Sequence, residues 1–460
     1  MDRSKYLIKN VGLLTISNFS SKILVFLLVP LYTSILTTAE YGTYDLIVST
    51  VGLIYPVLTL NIVDATMRFT MDDNYEKKNV ISIGFRYVCG SVALTAVITC
   101  GLHVMKIWNG LLIFFLLYYI SYTFNQLFIQ LAKGLERVQD MAIGGVISTL
   151  ISLLGNIFFL LVLRWGLNGF FLANILSQAL SALYFCIRMR VWQYLKLCKP
   201  DGALKREMLH YSVPLIATTL GWWVNNTLDK YAVVFLCGVA ANGLLSVSYK
   251  IPSILNVVQQ IFTQAWQISA IKEYGGKNTR EFYGRTFSMV NMMMCVVCAG
   301  LILFTRPLAH LLYAKDFYAA WEYVPFLLIS SVFNCAAGLL GPVLTAKKDT
   351  KTMMWSAIIA AVVNAVLNIG FIYMIGVQGA TIATMISSLV IYMVRRRGVG
   401  QDIVIEDRYY ATWLLLIVQA GVEVTIGNWI IELVLCGLML IVNRKNIGNV
   451  VQMAKRVVKR

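Results

Sequence analysis

The sequence predicts an all-α polytopic membrane protein of about fourteen transmembrane helices, built as two six-helix repeats in one orientation plus two C-terminal helices. Three observations predict it: composition, the placement of basic residues, and an internal repeat. Apolar residues make up 58% of the 460 and charged residues only 13%, with a mean hydropathy of +0.72. Soluble domains carry roughly 25% charged residues.

Charged, glycine- or proline-containing breaks delimit spans at 11–36, 41–68, 80–104, 110–132, 141–163, 167–187, 211–236, 243–271, 286–304, 321–345, 353–374, 377–394, 410–426 and 428–443. The first run, VGLLTISNFSSKILVFLLVPLYTSIL, is long enough as a helix to cross a ~30 Å hydrocarbon core with tilt. It is too long, and too charged at Lys22, for the apolar region of a cleavable signal peptide. Lys22 lies near its middle, with Thr15, Asn18 and Ser21 on the same stripe. A charge at that depth costs at least ~2.5–3.5 kcal/mol unless it faces protein or water. Lys22 therefore lines a hydrated cavity or pairs with a carboxylate on another helix. The second span brings Asp45, Asp64 and Arg68, and the third Arg86. In the seventh, Trp222, Asn225, Asn226 and Asp229 lie close to one face, followed by Lys230. The eighth carries Ser246, Tyr249, Lys250 and Ser253, then Gln260 and Gln264. The last two spans are short and contain Glu423 and Glu432. Cys295-Val-Val-Cys298, the close pair among nine cysteines, lies in an apolar run without histidine or acidic companions and reads as packing, not a metal or redox site.

With the N-terminus inside, cytoplasmic segments would hold 30 of the 39 Lys and Arg residues, and outer loops only Lys106, Arg164, Arg306 and Lys315. That asymmetry is a positive-inside signal and predicts both termini in the cytoplasm. It accounts for the net charge of +17 through one membrane face, without nucleic acid.

Shifted by 201 residues, the segment around Leu14 falls on that around Leu215, and Gly42 falls on Gly243. Further on, Asn156 meets Asn368, and GLNGFFLANILS (166–177) meets GVQGATIATMIS (376–387) with Gly-x-x-Gly-x-x-x-Ala kept. Small residues at that spacing also let helices approach closely. The predicted organisation is an N-lobe at 1–198, a C-lobe at 199–398, and two extra spans with a basic cytoplasmic tail at 399–460. The intramembrane charges are not duplicated: Lys22 meets Trp223, Arg68 meets Ser269, and Lys250 meets Ser49. Asymmetry of this kind suits one pathway between two halves, and drift after duplication is the alternative.

By depth, Arg68 and Arg86 sit within about two turns of the cytoplasm and Lys22 near the middle, while Lys230 and Lys250 lie about 9–10 Å from the outer face. Such a ladder suits an anionic substrate, a lipid diphosphate or acidic sugar. Asp45, Asp64 and Asp229 would prevent over-tight binding and carry coupling H+ or Na+. Against this, Asp64 and Arg68 are four apart and could neutralise each other, and Arg68 and Arg86 could snorkel to headgroups. Trp222 and Asn226 combine the aromatic and amide surfaces that hold sugars. No catalytic constellation, metal site or cofactor motif is present; His103, His210 and His310 lie far apart in the chain.

SNFSSKILVFLLVPLYTSILTTAEYGTYDL (17–46) resembles the opening of the Wzx-type polysaccharide repeat-unit flippases, of the multidrug/oligosaccharidyl-lipid/polysaccharide exporter superfamily. HYSVPLIATTLGWWVNNTLDKYAV, LLYAKDFYAAWEYVPFLL (311–328) and the paired glycine motifs are similar to that family too. The resemblance implies two six-helix lobes with alternating access and no enzymatic activity. It also implies transfer of undecaprenyl-diphosphate-linked glycans from the inner to the outer leaflet of the cytoplasmic membrane, for O-antigen, capsule or exopolysaccharide. Implied partners are the lipid-linked glycan, membrane lipids, and polysaccharide polymerase and assembly machinery. By position, Lys22, Arg68, Asp229 and Lys230 match places where the family commonly has polar or charged residues. Lys230 stands where arginine is usual, which weakens a bidentate phosphate contact there. A lipid-linked peptidoglycan precursor flippase and a multidrug/cation antiporter of the same superfamily are the rival readings.

Overall fold

A computed structural model of the chain describes residues 26–106, 110–195, 201–273, 275–276, 278–404 and 408–444. Among these residues all regular structure is helical. The helices are α1 (Val29–Ile35), α2 (Thr38–Leu58), α3 (Ile62–Thr70), α4 (Lys77–Val104), α5 (Leu112–Gly134), α6 (Val138–Asn156) and α7 (Gly166–Arg188). They continue as α8 (Gly202–Cys237), α9 (Val239–Ser248), α10 (Pro252–Glu273), α11 (Thr279–Leu303), α12 (Thr305–Leu312) and α13 (Val324–Ala346). Last come α14 (Thr350–Ile375), α15 (Val377–Val399), α16 (Arg408–Thr425) and α17 (Trp429–Val442). By length and hydropathy eight described helices suffice to cross a membrane, and the bent pair α2/α3 makes a ninth. The other predicted spans fall on helices that are shorter, interrupted or more polar, except that most of the first lies outside the described residues.

The helices are inside-out relative to a soluble protein. On α14 the exposed stripe is Ile358, Val362, Val366, Ile369 and Tyr373, whereas Ser356, Asn364 and Asn368 are buried. On α4, Leu94, Val97 and Ile98 are exposed while Ser91, Thr95 and Thr99 are buried and return their hydroxyls to the backbone one turn earlier. A chain that hides hydroxyls and amides and displays branched aliphatics is adapted to lipid.

Two predicted spans are not single helices. The second breaks at 59–61 into α2 and α3, which are bent by 63°. Pro56 within α2 lacks an N–H, Leu60 and Asn61 take left-handed φ values of 52° and 50°, and the Asn61 N–H folds back to the Pro56 carbonyl at 2.8 Å. The eighth span is interrupted at 249–251, where Pro252 opens α10. Proline is suited to a helix start, and its ring disfavours helical backbone in the residue before it. The seventh span lies within α8, 36 residues long, which starts nine residues before the predicted boundary. The fifth ends in a π-helical turn, Ile157–Val162.

The chain divides into two compact units, 1–224 and 225–460, so that the division falls inside α8. The first part of α8 packs on the first unit: Glu207 accepts the Tyr75 hydroxyl at 2.5 Å, and Trp223 Nε1 donates to the Ser49 carbonyl at 2.9 Å. In the first unit, Ile62, Val63, Phe69, Val80, Leu127, Phe128 and Phe185 form one buried core. Short α3 sits in it because its neighbours lack side chains: a Cβ on Gly84 would collide with the Thr66 hydroxyl, and one on Gly134 would lie 2.9 Å from Thr70 Cβ. In the second unit α13 is buried nearly all round, as expected of a helix apolar on every side. Each unit also holds a hairpin, α6–α7 and α14–α15, carrying the glycine motif. Gly166 and Gly376 turn the chain with φ of 53° and 63°. A Cβ on Gly169 would come within 2.9 Å of Phe159 Cβ, and one on Gly379 would strike the Phe371 carbonyl. Asn156 and Asn368 are both buried, and each leaves its Oδ1 without a partner among the described residues.

The C-terminal helices are fixed to the second unit by aromatic packing. Trp413 of α16 meets Phe333, Tyr392 and Tyr409 edge-on and donates Nε1–H to Asn291 Oδ1 at 3.3 Å. Cys295 and Cys298 are fully buried on α11.

Candidate functional site

Among the described residues each unit has one interrupted span, and of the predicted charges Asp64 and Lys250 lie at the breaks and Asp229 meets one through Tyr249. Discontinuous helices expose backbone ends inside the membrane, where ions and polar groups are bound in transporters. In the first unit Asp64 lies in the first turn of α3, just after the left-handed Asn61. Asn61 Nδ2 donates to one carboxylate oxygen at 2.9 Å and Gln130 Nε2 of α5 to the other at 2.8 Å. Asp64 is therefore held by two amides and does not pair with Arg68. Arg68 is exposed in the last turn of α3 and lies 3.8 Å from Asp72, four residues on, at the loop end. Such an exposed pair is worth about 0–1 kcal/mol. Asp45 on α2 and Arg86 on α4 are half-buried, each with interactions of its own. Lys22 lies outside the described residues.

In the second unit Asp229 is buried on α8 and accepts from the Lys230 backbone N–H at 2.9 Å and from the Tyr249 hydroxyl. Tyr249 and Lys250 occupy the interruption between α9 and α10, and the break brings the Tyr249 hydroxyl to Asp229. Lys250 is half-buried and makes no ion pair among the described residues. Lys230 is half-buried, and Asn226, one turn before it, is exposed. Trp222 lies on α8, but its side chain is not among those described.

Sequence reasoning missed Gln130 and Asn61 as partners of Asp64. The signal for Asn61 was its place three residues before Asp64 and five after a proline; Gln130 could have been flagged as an amide in an otherwise apolar span. Chemically, the first site is a carboxylate held by two amide donors, with no cation paired to it among the described residues. The second is a buried carboxylate capped by a phenol, with Lys250 the residue after that tyrosine.

The family model described as "Polysaccharide biosynthesis protein" matches residues 7–268, and that described as "MatE" matches 214–369. No curated protein matches the chain by sequence. Among solved structures, the lipid II flippase MurJ in an inward closed conformation superposes with a TM-score of 0.64 at 14% identity, over 94% of this chain and 99% of that one. A multidrug resistance MATE family transporter of the MOP superfamily, inward-facing, gives 0.59 at 15% identity, over 84% and 98%. An outward-facing MATE family structure gives 0.53 at 16%, over 86% and 96%. At these identities the superpositions speak for a shared fold. The first family match covers more than half the residues, joins the multi-pass helical fold just described, and shows that the chain belongs to the polysaccharide biosynthesis protein family.

Proposed function

We propose that this transporter moves undecaprenyl-diphosphate-linked oligosaccharide repeat units from the inner to the outer leaflet of the cytoplasmic membrane for polysaccharide biosynthesis. It does so by alternating access between lobes at 1–198 and 199–398, with the spans of 399–460 appended and both termini cytoplasmic. The observation that carries the reading is Lys250, a half-buried ammonium without an ion-pair partner among the described residues, at a helix interruption in a chain of this family. An unpaired cation inside a span is costly and finds its counter-charge in the substrate diphosphate. Lys22, Arg68, Arg86 and Lys230 continue the cationic path, Trp222 and Asn226 meet the glycan, and Asp45, Asp64 and Asp229 carry the coupling H+ or Na+. A polysaccharide polymerase takes the product on the outer side.

Deletion of the gene should trap lipid-linked repeat units on the cytoplasmic side, and the wild-type chain should release them. Accumulation of lipid-linked peptidoglycan precursor instead would assign the chain to that flippase class, which shares the fold. Loss of organic-cation resistance without any trapped glycan would assign it to the antiporters. For the site, a charge-assisted contact is worth about 1.5–3 kcal/mol, so Lys250→Gln should lower transport about 10–150-fold while Lys250→Arg retains most of it. Lys22→Ala should lose transport and Lys22→Arg keep part. Normal export by well-expressed Lys22→Ala and Lys250→Gln proteins would end the cationic-path reading.

A further inference from the structure

Glu432 lies in the first turn of α17 and is 0% exposed, yet neither of its carboxyl oxygens meets a hydrogen-bond donor among the described residues. An ionised carboxylate buried without a partner is strongly unfavourable, and a neutral carboxyl is much less so. The groups that face it from neighbouring helices are Glu423 and Gln419 of α16 and Arg306 of α12. Cys436 lies one turn along α17, and Cys298 of α11 is close to Cys436. Gln419 is near enough to act on it as a donor but carries no charge, and Arg306 makes no ion pair with it. Arg306 is committed to Glu423, with Nε 3.1 Å from its carboxylate and Nη2 2.9 Å from its backbone carbonyl, and its guanidinium stacks over the Trp321 ring at 4.2 Å. Gln419 directs its amide N–H groups to the Ala299 carbonyl at 3.1 Å and to the Cys436 sulfur at 3.5 Å.

Two carboxyl groups thus lie near one guanidinium that pairs with Glu423, and the cluster is neutral when it also holds one proton. The turn between α16 and α17 is shaped to this arrangement. Gly427 has a φ of 62°, and a Cβ there would collide with the Arg306 guanidinium. We propose that Glu432, beside the Glu423–Arg306 pair, is a proton-binding site of the two C-terminal helices, separate from Asp45, Asp64 and Asp229. The Arg306 side chain is 39% exposed, which leaves the cluster one side chain from the surface. When Arg306 or α17 moves, the Glu432 O–H bond breaks, its proton passes to water, and the carboxylate remains at a helix N-terminal turn, where the dipole favours negative charge. The site can therefore both take and release its proton. This inference does not depend on the identity of the transported substrate.

Dicyclohexylcarbodiimide reacts with protonated carboxyl groups in apolar surroundings and tests the proposal without a transport assay. Membranes holding the full chain are treated from about pH 5 to about pH 9, a range above the ordinary glutamate value, and the adduct at position 432 is quantified by peptide mass spectrometry. Glu432 should be labelled at neutral pH, with labelling falling about tenfold per pH unit above its midpoint, as for a single proton. Glu423→Gln removes the competing carboxylate and frees Arg306, so its profile should move to lower pH. Absence of adduct at 432 throughout, with other carboxyls labelled, would overturn the proposal. So would a profile indifferent to pH, or suppression by Na+ at constant pH, which would identify a metal-cation site. The wild-type profile decides by itself should Glu423→Gln fail to reach the membrane.

Discussion

Replacing Asp64 by alanine removes the acceptor of two hydrogen bonds at the break between α2 and α3, from Asn61 Nδ2 at 2.9 Å and Gln130 Nε2 at 2.8 Å. Hydrogen bonds to a charged group contribute about 1.5–3 kcal/mol each. Asp64 is only half-buried, so the lower value applies and the pair is worth about 3 kcal/mol. Asp64→Asn is a different perturbation. Its Oδ1 still accepts from Asn61, while its new Nδ2 would face Gln130 Nε2, donor against donor. Gln130 resolves the conflict by turning its amide, because its Oε1 is buried and without a partner among the described residues. The turn exchanges one unpartnered group for another, and the expected cost is about 1 kcal/mol. In a unit of this size each 1 kcal/mol lowers Tm by about 2–4 °C. Thermal unfolding of the detergent-solubilised protein should then show a fall of about 6–12 °C for Asp64→Ala and about 2–4 °C for Asp64→Asn. An alanine variant with the parental Tm would refute the bridging role. An asparagine variant that falls as far as alanine would refute the turning of Gln130. The stable asparagine protein also isolates the coupling role: its transport should lose the parent's dependence on pH or sodium.

Two further tests concern helix ends and topology. The Asp349 carboxylate caps α14, accepting the Thr352 N–H at 3.0 Å and its hydroxyl at 2.6 Å, and these bonds hold it below the usual carboxylate range. A depressed folded value means that the cap's stabilisation is fully present above about pH 4, the unfolded range, and is lost as pH falls through the folded one. Amide exchange at 350–353 should thus be pH-sensitive in acid beyond the intrinsic rate, and Asp349→Ala should raise it at neutral pH; unchanged protection in the alanine variant would refute the cap. For topology, reporters fused at Thr38, Lys199, Lys348 and the C-terminus should read outside, inside, inside and inside. An outside C-terminus would remove the fourteen-span arrangement.

The membrane class and the position of nearly every described helix were legible in the sequence because both are sums over neighbouring residues. In lipid the backbone must satisfy itself locally, so a sufficiently long apolar run has helix as its outcome. The runs at 80–104, 110–132, 167–187 and 353–374 accordingly lie on α4, α5, α7 and α14. Thr37 and Glu40 form a capping box at the start of α2. The Gly-x-x-Gly-x-x-x-Ala spacing also carried its own meaning, since the close helix contacts at Gly169 and Gly379 require only the missing Cβ.

Hydropathy, by contrast, averages over a break of three residues, and so the bend after Pro56 and the interruption before Pro252 escaped it. Spacing along one helix suggested that Asp64 would face Arg68, yet the tertiary structure gives Asp64 to Gln130, 66 residues away, and leaves Arg68 to Asp72. Likewise it gives Asp229 the hydroxyl of Tyr249, and it buries Glu432 with neither carboxyl oxygen meeting a hydrogen-bond partner among the described residues. A residue's type and depth follow from the local sequence. Its partner depends on which helix faces lie together, and that is decided by side-chain volume at contacts such as Gly84 against Thr66 and Gly134 against Thr70, far apart in the chain.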